Sequence, residues 1–164
     1  VMDANESARP NKALVRELRI ASSAGAGYDS TARGPGMFYL DGTPSEGKTV
    51  ADLEAALRSE IEKLVRDGVT AEELARVKAQ VVASHVFQLD SMSYQAMQIG
   101  QLESIGLSFR DVDTMLKKLQ AVTAEQVREV AKKYLKDDSL TVAVLDPQPL
   151  EQKTPFATPS GLRH

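Results

Sequence analysis

The chain predicts an α+β fold, a mostly antiparallel sheet with a block of helices packed on one face. Three observations carry this expectation. Apolar residues recur at steps of three and four between Val50 and Val65, and helix-start and helix-stop signals repeat from there to Leu135. Ala21–Ser30 and Met37–Leu40 flank Gly34-Pro35-Gly36 and read as the two arms of a hairpin. Leu140-Thr141-Val142-Ala143-Val144-Leu145 is a nearly unbroken apolar run of strand length, which reads as a central strand covered on both faces.

Ala13, Leu14, Val15 and Leu18 sit near helical spacing, and Pro10 fits only a first turn, so a short helix is expected over Ala8–Leu18. The segment Ala21–Ser30 is rich in glycine and serine. It is assigned to strand because the turn and the bulky Met37–Leu40 run that follow can pair back on it, with Pro44 ending that arm. Val50, Leu53, Leu57, Ile61, Leu64 and Val65 give the clearest helix, with Glu54–Arg58 and Glu62–Arg66 as outer i,i+4 pairs and Gly68 as its stop. Val69-Thr70-Ala71-Glu72-Glu73-Leu74 then reads as a capping box with a hydrophobic staple, and Val122-Thr123-Ala124-Glu125-Gln126-Val127 repeats the device. Between them, a stripe of Leu74, Val77, Val81, His85 and Leu89 precedes a break near Asp90 and Ser91. A second segment runs to about Ser104, Gly106 stops it, and Ser108 with Asp111 opens a helix to about Leu119. Residues 1–146 are expected to form one module, lacking its first strands because the chain opens directly into a helix. Residues 147–164 hold four of the seven prolines and are expected to form an extended tail.

Composition narrows the function classes. With 42% hydrophobic and 26% charged residues, 164 residues suffice for one substantial core. The net charge of −3 comes from 23 acids and 20 bases mixed along the chain, without the basic stripe that nucleic acid demands. No apolar run reaches the length of a membrane span. The absence of cysteine removes thiol catalysis and thiolate metal sites.

Candidate chemistry is sparse. His85 and His164 are the two histidines; His85 reads as a packed helix residue, and neither His-x-x-Glu-His nor its reverse occurs. Gly25-x-Gly27 lacks the helix that a phosphate loop needs after it. Glu72 and Glu73 fit a first helical turn better than an acid–base pair. Ser22 and Ser23 have no base at hand. Met92, Met97 and Met115 read as core filler. The chain alone is expected to be non-catalytic and to bind no metal.

The order of these pieces, with Gly68-Val69-Thr70-Ala71-Glu72-Glu73-Leu74-Ala75-Arg76-Val77-Lys78 followed by Val122-Thr123-Ala124-Glu125-Gln126-Val127, resembles the C-terminal, non-metal half of the insulinase-like (pitrilysin) zinc peptidases, above all the bacterial two-domain type. The resemblance covers about Ala8 to Pro147. It implies an N-terminal half, absent here, that carries zinc on His-x-x-Glu-His and a later Glu, and a parent protein that is a zinc-dependent metalloendopeptidase. This half would enclose a peptide substrate as a chamber wall and pair with that metal-bearing half, with a separate active subunit, or in a dimer. Many members place an Arg and, seven residues later, a Tyr toward the peptide. Aligned on Ala21-Ser22-Ser23-Ala24, those positions are Val15 and Ser22, a departure that leaves Arg16, Arg19 and Tyr28 as the substrate-binding candidates. It also admits an alternative, an inactive family member acting as partner subunit or scaffold. The resemblance further implies a periplasmic location.

Overall fold

The structure, a computed structural model, describes residues 1–2 and 8–147. The proline-rich stretch expected as a tail lies, apart from Pro147, outside the described residues, as does His164. The described part is α+β, built from one antiparallel hairpin and helices on one of its faces.

The opening helix runs Asn11–Glu17 behind Pro10, whose fixed φ suits that position. It is widened: the Leu18 amide donates to the Ala13 carbonyl at 2.9 Å, five residues back. Its one fully buried side chain, Leu14, points at the hairpin. Strand β1, Ala21–Tyr28, pairs antiparallel with β2, Phe38–Pro44, in the register Ala24↔Gly42, Ala26↔Leu40 and Tyr28↔Phe38. The ladder is irregular between Ala21 and Ser23, where Ser22 is an extra residue whose hydroxyl donates to the Thr43 carbonyl at 3.2 Å. That bulge lets Ala21 and Ala24, three apart, both turn toward the core, which strict alternation forbids.

Helix α1, Val50–Asp67, crosses the inner face of the hairpin. Small residues in the sheet let it approach closely. A Cβ added at Gly42 would stand 3.0 Å from the Ser23 carbonyl oxygen and 3.2 Å from a methyl of Leu53. Leu53 packs with Leu14, Ala21 and Ala24 in one cluster. Farther along α1, Leu64 joins Met2, Ala26, Val69 and Ala131 in a second, which Phe38, Leu40, Ile61, Leu74 and Val127 border. Ala131 belongs to α5, Ala124–Tyr134, which lies along α1 and sends Arg128 Nε to the Val65 carbonyl at 3.2 Å.

The helix starts follow their caps. Thr49 and Asp52 make a reciprocal box at α1, and Thr123 and Gln126 make one at α5. Ser108 and Asp111 make a third on the short turn Phe109–Asp111 that leads into α4, Val112–Ala121. At α2, Ala71–Gln88, Thr70 accepts from the Glu73 amide, but the carboxylate of Glu73 turns to a distant arginine instead of completing the box. Helix α3, Met92–Ser104, follows the break at Asp90 and Ser91, and Gly106, at φ 86°, ends it as the spacing predicts.

Two expectations need correction. Leu140–Leu145 forms no strand, and Leu140, Val142, Val144 and Leu145 are 48%, 49%, 58% and 89% exposed. A strand needs a neighbour to share its ladder, and no described segment offers one beside it. Met92, Met97 and Met115 are likewise exposed rather than core filler, because no described element packs on the outer sides of α3 and α4. Helix α2 has no buried residue; along its expected stripe His85 is half-buried and Leu89 exposed.

Candidate functional site

The three substrate-binding candidates lie at the two ends of β1. Arg16 occupies the last turn of the opening helix and is exposed. Arg19, also exposed, lies on the connection into the strand with φ 52°, the one non-glycine residue at positive φ among those described. Tyr28 closes the strand at the far end, 59% exposed. The rise along an extended strand puts Ala21 and Tyr28 about 23 Å apart. The three side chains therefore flank one strand and do not share a pocket.

Between those ends, β1 presents glycines to the outer face of the hairpin, and side chains of β2 lie over them. Gly25 stands opposite Asp41 and Gly27 opposite Tyr39. The Tyr39 ring lies across Gly27, so close that a Cβ there would overlap its hydroxyl end. The two glycines are thus strand residues under neighbouring side chains, with none of the amide-lined loop that phosphate requires. Val15 is half-buried against the Leu14 cluster, and Ser22 sits in the bulge bonded to Thr43, so neither position offers an Arg or a Tyr.

At the hairpin tip, the Asp29 carboxylate accepts from the backbone and the hydroxyl of Thr31 at 2.8 and 2.7 Å, which holds its pKa below the ordinary value. Thr31 in turn accepts from Gln101 Nε2 at 2.6 Å, tying the tip to α3.

The best-formed polar cluster was not legible beforehand. Arg9 Nε and Nη2 donate to the Glu73 carboxylate at 2.9 and 2.7 Å, and Nη2 also donates to the Gly68 carbonyl at 2.8 Å. Both side chains are mostly buried. The Arg9 hydrogen bonds hold the Glu73 carboxyl below its ordinary range, and Glu73 raises Arg9. A fork-to-fork pair of this kind fixes geometry and leaves no carboxylate free for acid–base work. Its partners are 64 residues apart, beyond any local spacing signal.

The described residues do not compose a zinc site. Among them, no three His, Asp or Glu side chains converge. Nor is any helix long and apolar enough to cross a membrane.

Residues 6–81 match the family model described as the Peptidase M16 inactive domain. The chain is 30% identical over 123 residues to an uncharacterized zinc protease of Streptomyces coelicolor, a match covering 74% of this chain and 26% of that one. It is 25% identical over 133 residues to an uncharacterized zinc protease of Bacillus subtilis, covering 81% and 32%. It is 32% identical over 102 residues to mitochondrial-processing peptidase subunit beta of Mus musculus, covering 62% and 21%. The chain thus spans a third or less of the length of these curated relatives. An inactive peptidase domain from Bordetella parapertussis has the same fold, with a TM-score of 0.74 over 92% of this chain and 81% of that one at 17% identity.

Proposed function

Because this chain carries a peptidase M16 inactive domain in residues 6–81, we propose that it is the non-catalytic half of an insulinase-like zinc metallopeptidase, a wall of the chamber that encloses a peptide. The observation that carries the reading is that match, supported by a fold shared with an inactive peptidase domain along 92% of the chain. Zinc and the general base belong to a half outside this sequence, where the metal would activate the attacking water. The part left to this chain is to hold and enclose.

The surfaces fit that part. The β1–β2 hairpin has helices on one face, and its outer face is low, with Gly25 and Gly27 beneath Asp41 and Tyr39. An extended peptide laid along β1 would need about seven residues to run from Ala21, just past Arg19, to Tyr28. In this reading Arg16 and Arg19 meet acidic or carbonyl groups at one end of the peptide, and Tyr28 meets it at the other. The apolar Leu140–Leu145 run faces the metal-bearing half, with which it makes the assembly. A periplasmic location accompanies the reading.

A second reading has its own support. Val15 and Ser22 replace the expected Arg and Tyr, which favours an inactive member serving as partner subunit or scaffold.

The deciding experiment mixes the purified chain with the zinc-bearing half, or with a separately made active subunit, and follows cleavage of a fluorogenic peptide. The chain alone should cleave nothing, and adding it should raise the partner's kcat/KM, with Arg19→Ala and Tyr28→Phe raising KM. Stimulation that ignores both substitutions supports the scaffold reading. Stoichiometric zinc and hydrolysis by the chain alone would overturn both.

A further inference from the structure

Helix α4 is fastened to α2 in an unusual way. Lys78, the last residue of the first cassette, sends its ammonium across to the end of α4, where Nζ donates to the Gln120 carbonyl at 2.7 Å and to the Val122 carbonyl at 2.6 Å. These belong to the carbonyls that a helix C-terminus leaves unsatisfied, and they carry its negative dipole end. Val122 is also the residue before Thr123, the cap of α5. One lysine therefore ties the first cassette to the second.

Little else holds the two helices together. Neither α2 nor α4 has a buried residue. Between them lies an open groove of about 350 Å³ lined by Lys78, Ala79, Val82, Ala83 and Gln120. On the α2 side of the groove Lys78 and Val82 are half-buried and Ala79 and Ala83 exposed, so apolar burial there is modest. The connections on either side are single turns. The Leu89, Asp90 and Ser91 amides donate back to the last turn of α2 at 3.2–3.4 Å, and the Val122 amide donates to the Leu119 carbonyl at 3.2 Å. Gln95 Nε2 braces the first joint by donating to the Leu89 carbonyl at 2.6 Å. On the far side, Gln101 tethers α3 to Thr31 of the hairpin tip.

We infer that α4 has two positions against α2, docked and lifted, and that Lys78 is the latch that holds the docked one. Lifting opens the Ala79–Val82–Ala83 groove while α1 and α5, packed through Leu64, Val69 and Ala131, stay in place. Lys78 acts as a positioning residue, through the carbonyls of another helix.

The chain has no cysteine, so two can be introduced for spin labels without background. One pair, at exposed Ala75 of α2 and exposed Lys117 of α4, reads the latch; a second, at Glu62 of α1 and Val130 of α5, reads the core. In the full chain with Lys78 intact, both pairs should give one narrow distance. Lys78→Met keeps the aliphatic stem and removes the donors; it should add a longer second population to the α2–α4 pair and leave the α1–α5 pair unchanged. Lys78→Arg, which keeps a cationic donor, should restore the single distance. An α2–α4 distance unmoved by Lys78→Met overturns the latch. So does broadening of both pairs, including by loss of the fold, because Lys78 would then serve the whole domain.

Discussion

At the scale of single residues, the Arg9–Glu73 pair links the start of the chain to the start of α2 and to the Gly68 stop of α1. Its hydrogen bonds are charge-assisted and mostly screened from water, so Glu73→Gln or Arg9→Met should cost about 1.5–3 kcal/mol. A double-mutant cycle read by denaturant unfolding should show strong coupling; additive losses would remove the pair from the account. The pH sign follows from the depressed Glu73. A carboxyl that binds its proton less readily when folded contributes stability that is fully present above its ordinary value of 4.5. That stability is lost as pH falls below this value and through the folded pKa. Unfolding midpoints measured from pH 6 downward should therefore fall less steeply in Glu73→Gln than in the parent. Arg19 makes a different prediction. Its φ of 52° is left-handed, where a side chain costs about 1–2 kcal/mol that glycine avoids. Arg19→Gly should thus be more stable than Arg19→Ala by about 1 kcal/mol, the reverse of the order on a helix; equal stabilities would deny strain at this turn.

At the scale of elements, what could be read beforehand was what short spacing encodes. Thr123 and Gln126 cap α5 because residues three apart at a helix start face each other, whatever the rest of the chain does. Thr123→Ala should cost about 1 kcal/mol in thermal or denaturant unfolding, and Thr123→Ser much less. A loss equal for both would move the effect from the hydroxyl to the methyl group. Thr49-x-x-Asp52 is the same kind of signal and was there to be found. What escaped depends on distance. The Ser22 bulge hides in a glycine-serine strand, because alternation counts residues and a bulge adds one without changing composition. Glu73 departs from its box because Arg9, remote in sequence, outbids the Thr70 amide with two charged hydrogen bonds. Lys78 could be named as part of the cassette, but its carbonyl partners lie more than forty residues away. Among the site candidates, the places of Arg16, Arg19 and Tyr28 along the chain were legible; their separation to opposite strand ends became plain only with β1 extended.

At the scale of the molecule, the misread run Leu140–Leu145 marks the limit of pattern reading. An apolar run of strand length states what a segment needs, a neighbour on each side, and is silent about where that neighbour comes from. The described residues supply none, and Val142, Val144 and Leu145 stay exposed, as do Phe87, Met92 and Met97 at the helical end. Apolar surface of this kind marks an interface or an aggregation hazard. The two outcomes separate experimentally. Val142→Lys with Val144→Lys changes side chains that are 49% and 58% exposed and belong to neither core cluster, so the chain alone should keep its unfolding midpoint while its self-association, followed by light scattering, declines. If that run meets the metal-bearing half, the same pair of lysines should weaken the complex, since desolvating two charges in an apolar contact is unfavourable, and peptidase stimulation should fall with it. A lower midpoint in the chain alone would mean that these valines already pack within it. A complex formed with undiminished affinity would place the contact with the other half on a different face.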